Sequence, residues 1–161
     1  MGNFYTDVIS KDARFQSTNR VADLALLEPK TCALVQSILA ASATAGTKLL
    51  VFETFRSQAR QILLFNQGAS KLRDVGVHHY GLACDIVRDV DGEPSWKGSF
   101  DFLGVLAHKN GLIWGGDWGD PTAKHTFIDA DHVQRVTLAR QVTLFAGTWY
   151  PDEDYDPYRD H

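Results

Sequence analysis

Apolar residues recur at helical spacing from Pro29 onward, with Leu34, Val35, Ile38 and Leu39 on one side. Thr31 is placed to cap this helix, and the small, polar run from Ala40 to Thr47 ends it around Gly46. The pattern then changes. Leu49-Leu50-Val51-Phe52 is a continuous apolar run of strand length, carried on through Glu53, Thr54 and Phe55 to Arg56. Ser57 is a good N-cap for a second helix with Ala59, Ile62, Leu63 and Phe65 as its apolar face, and Gly68 stops it. Residues 69–77 read as a loop that delivers His78. Ala83 to Val87 predicts a second strand, with a turn at Asp89-Val90-Asp91-Gly92. Ser99 to Asn110 predicts a helix that buries Phe102, Leu103, Val105 and Leu106, closed by Gly111. Leu112-Ile113-Trp114 and His132-Val133-Gln134 read as further short strands, and residues 137–146 as a last helix. Residues 1 to about 20 are polar and weakly patterned and are expected to wrap the surface. The tail, Pro151 to His161, is acidic and aromatic and is expected to be loosely held. The alternation predicts an α+β fold, helices packed on a small, mostly antiparallel sheet.

Length changes this picture little: 161 residues suffice for one compact domain with its own core. No repeat or second domain is visible. The expectation is a single domain over residues 1–161, with its core at about 25–147 and an acidic tail at 151–161. The formal net charge of -4 offers no basic footprint for nucleic acid and argues against tight electrostatic docking on an anionic surface, so neither nucleic acid nor membrane is an expected partner. Two cysteines, Cys32 and Cys84, make no disulfide framework, and Cys84 reads as a small core residue. The start, Met1-Gly2-Asn3-Phe4-Tyr5-Thr6-Asp7, lacks a basic segment followed by an apolar run, and no apolar stretch is long enough to span a bilayer. The expectation is a soluble, monomeric chain made in the cytoplasm without a signal peptide. If it acts outside, something else must release it.

The candidate chemistry lies in two short stretches. His78-His79-Tyr80-Gly81-Leu82-Ala83-Cys84-Asp85 places an imidazole and a carboxylate seven residues apart, with small residues between them. Asp85 stands in an otherwise apolar strand, where an unpaired carboxylate is costly. An arginine partner is the plain solution; a metal shared with His78 is the sharper one. The second stretch is Asp129-Ala130-Asp131-His132. Two histidines and one carboxylate, with a spare acid beside the last, are the parts of a catalytic zinc site: three protein ligands, an open position and a general base. Asp129, three residues before His132, is positioned in a turn to meet a water without ligating the metal.

At these residues the chain resembles the zinc peptidases of the M15 group. These include D-alanyl-D-alanine carboxypeptidases and dipeptidases, and the L-alanyl-D-glutamate endopeptidases common among phage endolysins. The family pattern is Ser-x-His-x-x-Gly-x-Ala-x-Asp with a later Glu- or Asp-x-x-His. Phe55-Arg56-Ser57, with Gln61 and Phe65-Asn66-Gln67-Gly68, is similar to the segment before the family's first ligand. Ile113-Trp114-Gly115-Gly116-Asp117-Trp118 is similar to a stretch of the endolysin-type members. The resemblance covers roughly residues 30–135. It implies a hedgehog/DD-peptidase-like fold, with His78, Asp85 and His132 as ligands to Zn²⁺, Asp129 as general base, and Arg56 over the cleft, holding a substrate carbonyl or carboxylate. It implies a peptidoglycan stem peptide as substrate, with the L-alanyl-D-glutamate bond as the expected point of cleavage, in a phage or prophage endolysin that acts on the wall after release. The alternatives are a D-alanyl-D-alanine carboxypeptidase or dipeptidase, or a non-catalytic wall-binding or virion protein that keeps zinc for stability. Two departures stand out: Gly76 replaces the pattern's serine, and Asp131 precedes His132, which opens a choice of base. His79 reads as a spare imidazole and His125 as a surface or cleft-lip residue. Asp117 reads either as a turn residue or as an acceptor that orients a ligand histidine. Trp114 reads as core, and Trp118 as core or cleft wall.

Overall fold

The apolar run at Leu49 and the small-residue run at Ala83 become neighbouring strands. In a computed structural model that describes residues 2–70, 74–118 and 128–160, the strands are β1 (Leu49–Glu53), β2 (Ala83–Val90), β3 (Glu93–Ser95), β4 (Ile113–Trp114) and β5 (His132–Gln134). They form one sheet in the order β1-β2-β5-β4, with β3 also on β2, and every pair is antiparallel. The α-helices of the described residues are α1 (Phe4–Asp7), α2 (Pro29–Thr44), α3 (Gln58–Asn66), α4 (Asp101–Lys109) and α5 (Gln141–Phe145). This is the expected α+β architecture. No helix of the described residues is long and apolar enough to cross a membrane.

Side chains alternate along β2. Cys84 and Ile86 pack with Val133 of β5 against Val35 and Ile38 of α2 and Leu103 and Ala107 of α4. Burial pushes the Cys84 thiol well above its ordinary pKa, consistent with a core role. Alternation sends Ala83 and Asp85 to the opposite side of β2, where the candidate chemistry lies.

Several local expectations are corrected. Pro29 occupies the first turn of α2, where its missing N–H costs nothing. The cap is therefore Glu28 rather than Thr31: its carboxylate accepts from the Lys30 and Thr31 amides at 2.6 and 3.2 Å. Ser57 does cap α3, accepting from the Arg60 amide at 3.0 Å. The buried residue of α3 is Gln61, whereas Leu63 and Phe65 are exposed. In α4 it is Val105 that faces solvent. Gly104 lies against Trp114 instead, so close that a β-carbon would sit 2.4 Å from the indole. Strand β2 runs on to Val90, and the turn tightens to Asp91 and Gly92, both at positive φ, before β3 returns along it. The last helix is short, Gln141–Phe145.

Both ends of the chain are tied down. The N-terminal segment buries Ile9 with Val21, Leu26 and Phe55, and rests Phe4, Tyr5 and Phe15 on them. The acidic tail is held, not loose. Arg135 donates to the carbonyls of Asp152 and Tyr155 at 2.8 and 2.7 Å. Tyr158 donates its hydroxyl to the Leu112 carbonyl at 2.8 Å, and Arg140 pairs with Asp160 at 2.8 Å.

Candidate metal centre

The sheet register builds the site. Directly opposed residues of an antiparallel pair share a face. Asp85 opposes His132 on β5 and Glu53 on β1, so the three stand in one row across three strands. Glu53 is in line only because the register shifts between Val51 and Glu53. This β-bulge replaces Phe52 by Glu53 opposite Asp85. In the next row Ala83 opposes Gln134, and its methyl leaves room for the longer side chain. His78 arrives from the 3-10 turn Val77–Tyr80, which ends on Gly81 at φ 74°. A side chain at Gly81 would meet Ile9 at 2.7 Å and the Leu26 carbonyl at 2.9 Å, so glycine is required there twice over.

His78 Nε2 and His132 Nδ1 each lie 3.2 Å from Asp85 Oδ1. The far nitrogen of each ring is engaged elsewhere. His78 Nδ1 is 2.8 Å from the Thr54 carbonyl, which can only accept, so the ring proton is there. His132 Nε2 is 2.8 Å from Gln134 Oε1. In the neutral rings the near nitrogens are therefore the ones left with lone pairs for a metal. The three donor atoms lie within 4.8 Å of one another. Two atoms each about 2.0 Å from a tetrahedral zinc are roughly 3.3 Å apart, so the two 3.2 Å nitrogen–oxygen spacings fit Zn²⁺.

The charges point the same way. Burial would raise the Asp85 pKa, but His78 and His132 outweigh it and hold the carboxyl well below the usual range. Burial opposes a charge on His132, yet its hydrogen bond to Asp85 and the Asp129 and Asp85 charges push it up to about 9. Asp131 is pushed up to about 8, first by burial and then by the Asp85 and Asp129 carboxylates. Carboxylate oxygens of Asp85, Asp129 and Asp131 also lie within 4.8 Å of one another. A cation would relieve this repulsion and displace the extra proton on His132.

The two spare acids differ in setting. Asp129 Oδ2 is 3.8 Å from His132 Nδ1, and the side chain is 34% exposed. Asp131 Oδ2 accepts from the Trp96 indole at 2.9 Å, and the Asp131 carbonyl accepts from the Ile86 amide at 2.8 Å. Arg56 lines the cleft, but its guanidinium is engaged. Nη2 is 2.8 Å from Glu53 Oε1 and 3.5 Å from Asp85 Oδ2, and Nη1 donates to Gln61 at 3.2 Å. Arg60 holds the other Glu53 oxygen at 2.5 Å. The cleft above has a volume of about 880 Å³ and runs between Leu64 of α3 and Leu138, with Trp96 and Trp118 in its walls.

The other aromatic and acidic candidates sort themselves. Trp118 packs on His132, ring centroids 5.1 Å apart. Trp114 packs against the core and donates to the Ala130 carbonyl at 2.6 Å. His79 turns away into a cluster with Tyr5, Phe15 and Phe55 and accepts from the Tyr5 hydroxyl at 2.8 Å. Asp117 pairs with the exposed His108 at 2.5 Å, leaving Gln134 beside the His132 ring. His125 lies outside the described residues. Sequence reasoning passed over Glu53, Gln134 and Trp96. Gln134 had a signal, two positions after His132 on one strand face. Glu53 had a weaker one, an acid ending an apolar run. Trp96 had none.

No family model matches the chain. The chain is 29% identical over 144 residues to the peptidoglycan L-alanyl-D-glutamate endopeptidase CwlK of Bacillus subtilis (strain 168), spanning 76% of this chain and 83% of the relative. It is 29% identical over 118 residues to the L-alanyl-D-glutamate peptidase of Listeria phage A118, spanning 71% of this chain but 40% of that longer protein. Among solved structures, the L-Ala D-Glu endopeptidase ChiX of Serratia marcescens superposes with a TM-score of 0.52 at 27% identity, over 76% of this chain and 86% of that one. In sequence, in its fold and in the order of the His78, Asp85 and His132 cluster, the chain is similar to the L-alanyl-D-glutamate peptidases.

Proposed function

We propose that the chain is a zinc-dependent peptidase that hydrolyses the L-alanyl-D-glutamate bond in the peptidoglycan stem peptide. The observation that carries the chemistry is the convergence of His78, Asp85 and His132 under an open cleft. The bond is supported by the names of the Bacillus, Listeria phage and Serratia relatives. His78, Asp85 and His132 would hold the zinc. Bound there, zinc supplies Lewis acidity, polarising the scissile carbonyl and acidifying water.

The remaining roles fall to the chain itself. Asp129, a third exposed and beside the His132 ligand nitrogen, takes the proton of the attacking water and passes it to the leaving amine. Asp131, tied to Trp96, is the less free of the two acids. Arg56 steadies the second oxygen of Asp85 and places a fixed positive charge beside the developing oxyanion. Glu53 keeps Arg56 in place. The phage relative supports a lytic role on the wall, as an endolysin released from the cell that makes it.

The test is digestion of a defined N-acetylmuramoyl pentapeptide, followed by mass spectrometry. The expected products are N-acetylmuramoyl-L-alanine and a tetrapeptide beginning with D-glutamate, lost with a chelator and regained with zinc. Release of terminal D-alanine with the L-alanyl-D-glutamate bond intact would move the assignment to a carboxypeptidase. Chelator-resistant cleavage would remove zinc from it.

A further inference from the structure

Gln134 is fully buried in the interior strand β5, a setting in which polar side chains need a reason. Its amide is fixed at both ends. Nε2 donates to the Val136 carbonyl at 2.6 Å. Because that carbonyl can only accept, Oε1 is the end turned toward His132, where it lies 2.8 Å from Nε2. An amide oxygen accepts only, so His132 Nε2 carries a proton, and in the neutral ring Nδ1, 3.2 Å from Asp85 Oδ1, is the nitrogen left with a lone pair for a metal. The ladder contributes as well, since Ala83 opposite Gln134 leaves the amide its space.

We propose that Gln134 is the positioning residue that fixes the tautomer and ring orientation of His132 for coordination through Nδ1. The inference rests on the zinc reading above. It also gives the residue type a reason. A carboxylate at 134 would accept the same proton but add a second negative charge to a site whose only anionic ligand is Asp85. A neutral amide orients the imidazole and leaves the zinc site its positive charge. His78 is oriented differently, by the Thr54 main-chain carbonyl, which no side-chain substitution removes. The two histidines are therefore unequally vulnerable, and His132 is the one that depends on a side chain.

The test uses the zinc-loaded full chain. Long-range ¹⁵N–¹H spectra of its imidazoles should show His132 protonated at Nε2 and metal-bound at Nδ1. Zinc affinity is then measured by competition with a chromophoric chelator. Gln134→Leu is expected to weaken zinc binding roughly 10- to 100-fold. Gln134→Glu, which restores an acceptor at the same place, is expected to bind as tightly as the parent or more tightly. A merely structural Gln134 would lower the melting temperature of the metal-free protein in Gln134→Leu and leave affinity and tautomer unchanged, which would overturn the proposal. So would a parent spectrum with His132 bound through Nε2, a result that needs no variant to fold. Equal loss of zinc in the Leu and Glu variants would also overturn it. A parent that binds no zinc would overturn the zinc reading along with it, whereas a parent that binds one zinc and a Gln134→Leu variant that matches it would overturn this inference alone.

Discussion

Asp129→Ala is expected to bind zinc as the parent does and to hydrolyse the stem peptide roughly 10²- to 10⁴-fold more slowly. The loss should fall on kcat, with KM little changed, because a general base acts only as the water is deprotonated. The motive is geometric. Among the described residues Asp129 has no arginine or lysine salt-bridge partner, its side chain is a third exposed, and it lies 3.8 Å from His132 Nδ1 without replacing Asp85 beside it. His132→Ala should behave in the opposite way, losing zinc first and activity as a consequence, because Asp85 and His78 would be left as a two-donor site. Asp131→Ala is the control that can reverse the assignment. Its carboxyl is held by the Trp96 indole and is one of three crowded acids, so its loss should disturb the Trp96 wall more than the proton transfer. Metal content and steady-state rates of the three variants decide the matter. An active Asp129→Ala with a dead, zinc-bound Asp131→Ala would make Asp131 the base.

The site was legible where its parts are local. His78, Gly81, Ala83 and Asp85 lie within one turn and one strand, so spacing alone brings the imidazole, the carboxylate and the small residues between them together. Asp129 and His132 are likewise set by a single turn, which the hydrogen bond from the His132 amide to the Asp129 carbonyl closes at 3.1 Å. The pairing of these two stretches through the Asp85 and His132 register is a long-range fact that no period of the sequence encodes. The same limit explains Glu53. The β-bulge that turns it toward Arg56 is a register slip, and a run such as Leu49-Leu50-Val51-Phe52-Glu53 reads the same with or without it. Arg56 was expected over the cleft; the slip gives it an anionic partner and sets it in the wall. Exposed apolar residues misled for another reason. Val105, Leu63 and Phe65 fit a helical stripe, yet α3 buries Gln61 toward Arg56, and α4 turns Leu103, Gly104 and Ala107 inward, with Gly104 against the Trp114 ring. The tail read as loose because acidic composition signals solvation. Most of its anchors are bonds to backbone carbonyls, with the Arg140–Asp160 pair beside them, and composition says nothing about such partners.

The anchor of that tail is also where the largest loss of stability is expected. Arg135 is 1% exposed and bonds in three directions. Its Nη2 and Nε reach Glu28 Oε1 at 2.7 and 3.1 Å, Nε also reaches Thr31 Oγ1 at 3.3 Å, and Nη2 and Nη1 donate to the Asp152 and Tyr155 carbonyls of the tail. Glu28 is itself buried and caps α2. One guanidinium thus joins the start of α2, the end of β5 and the C-terminal segment. Arg135→Ala removes a cation from a buried carboxylate and leaves two carbonyls without their donor. Breaking a buried pair from one side costs about 3–5 kcal/mol, which for a domain of this size is a fall of roughly 6–20 °C in Tm. The measurement is urea unfolding of the metal-free protein, since bound zinc would add its own binding free energy to the folded state. The double variant Glu28→Gln, Arg135→Met should recover part of the loss, because neither charge is then left buried alone. The position of Arg135 one residue after Gln134 ties this stability to the site. Its backbone amide bonds to the Leu82 carbonyl at 2.9 Å and continues the β2–β5 ladder beyond Ala83 and Gln134. A destabilisation below about 1 kcal/mol in Arg135→Ala would place it with ordinary surface pairs and show that the tail is held by its aromatic and apolar contacts instead.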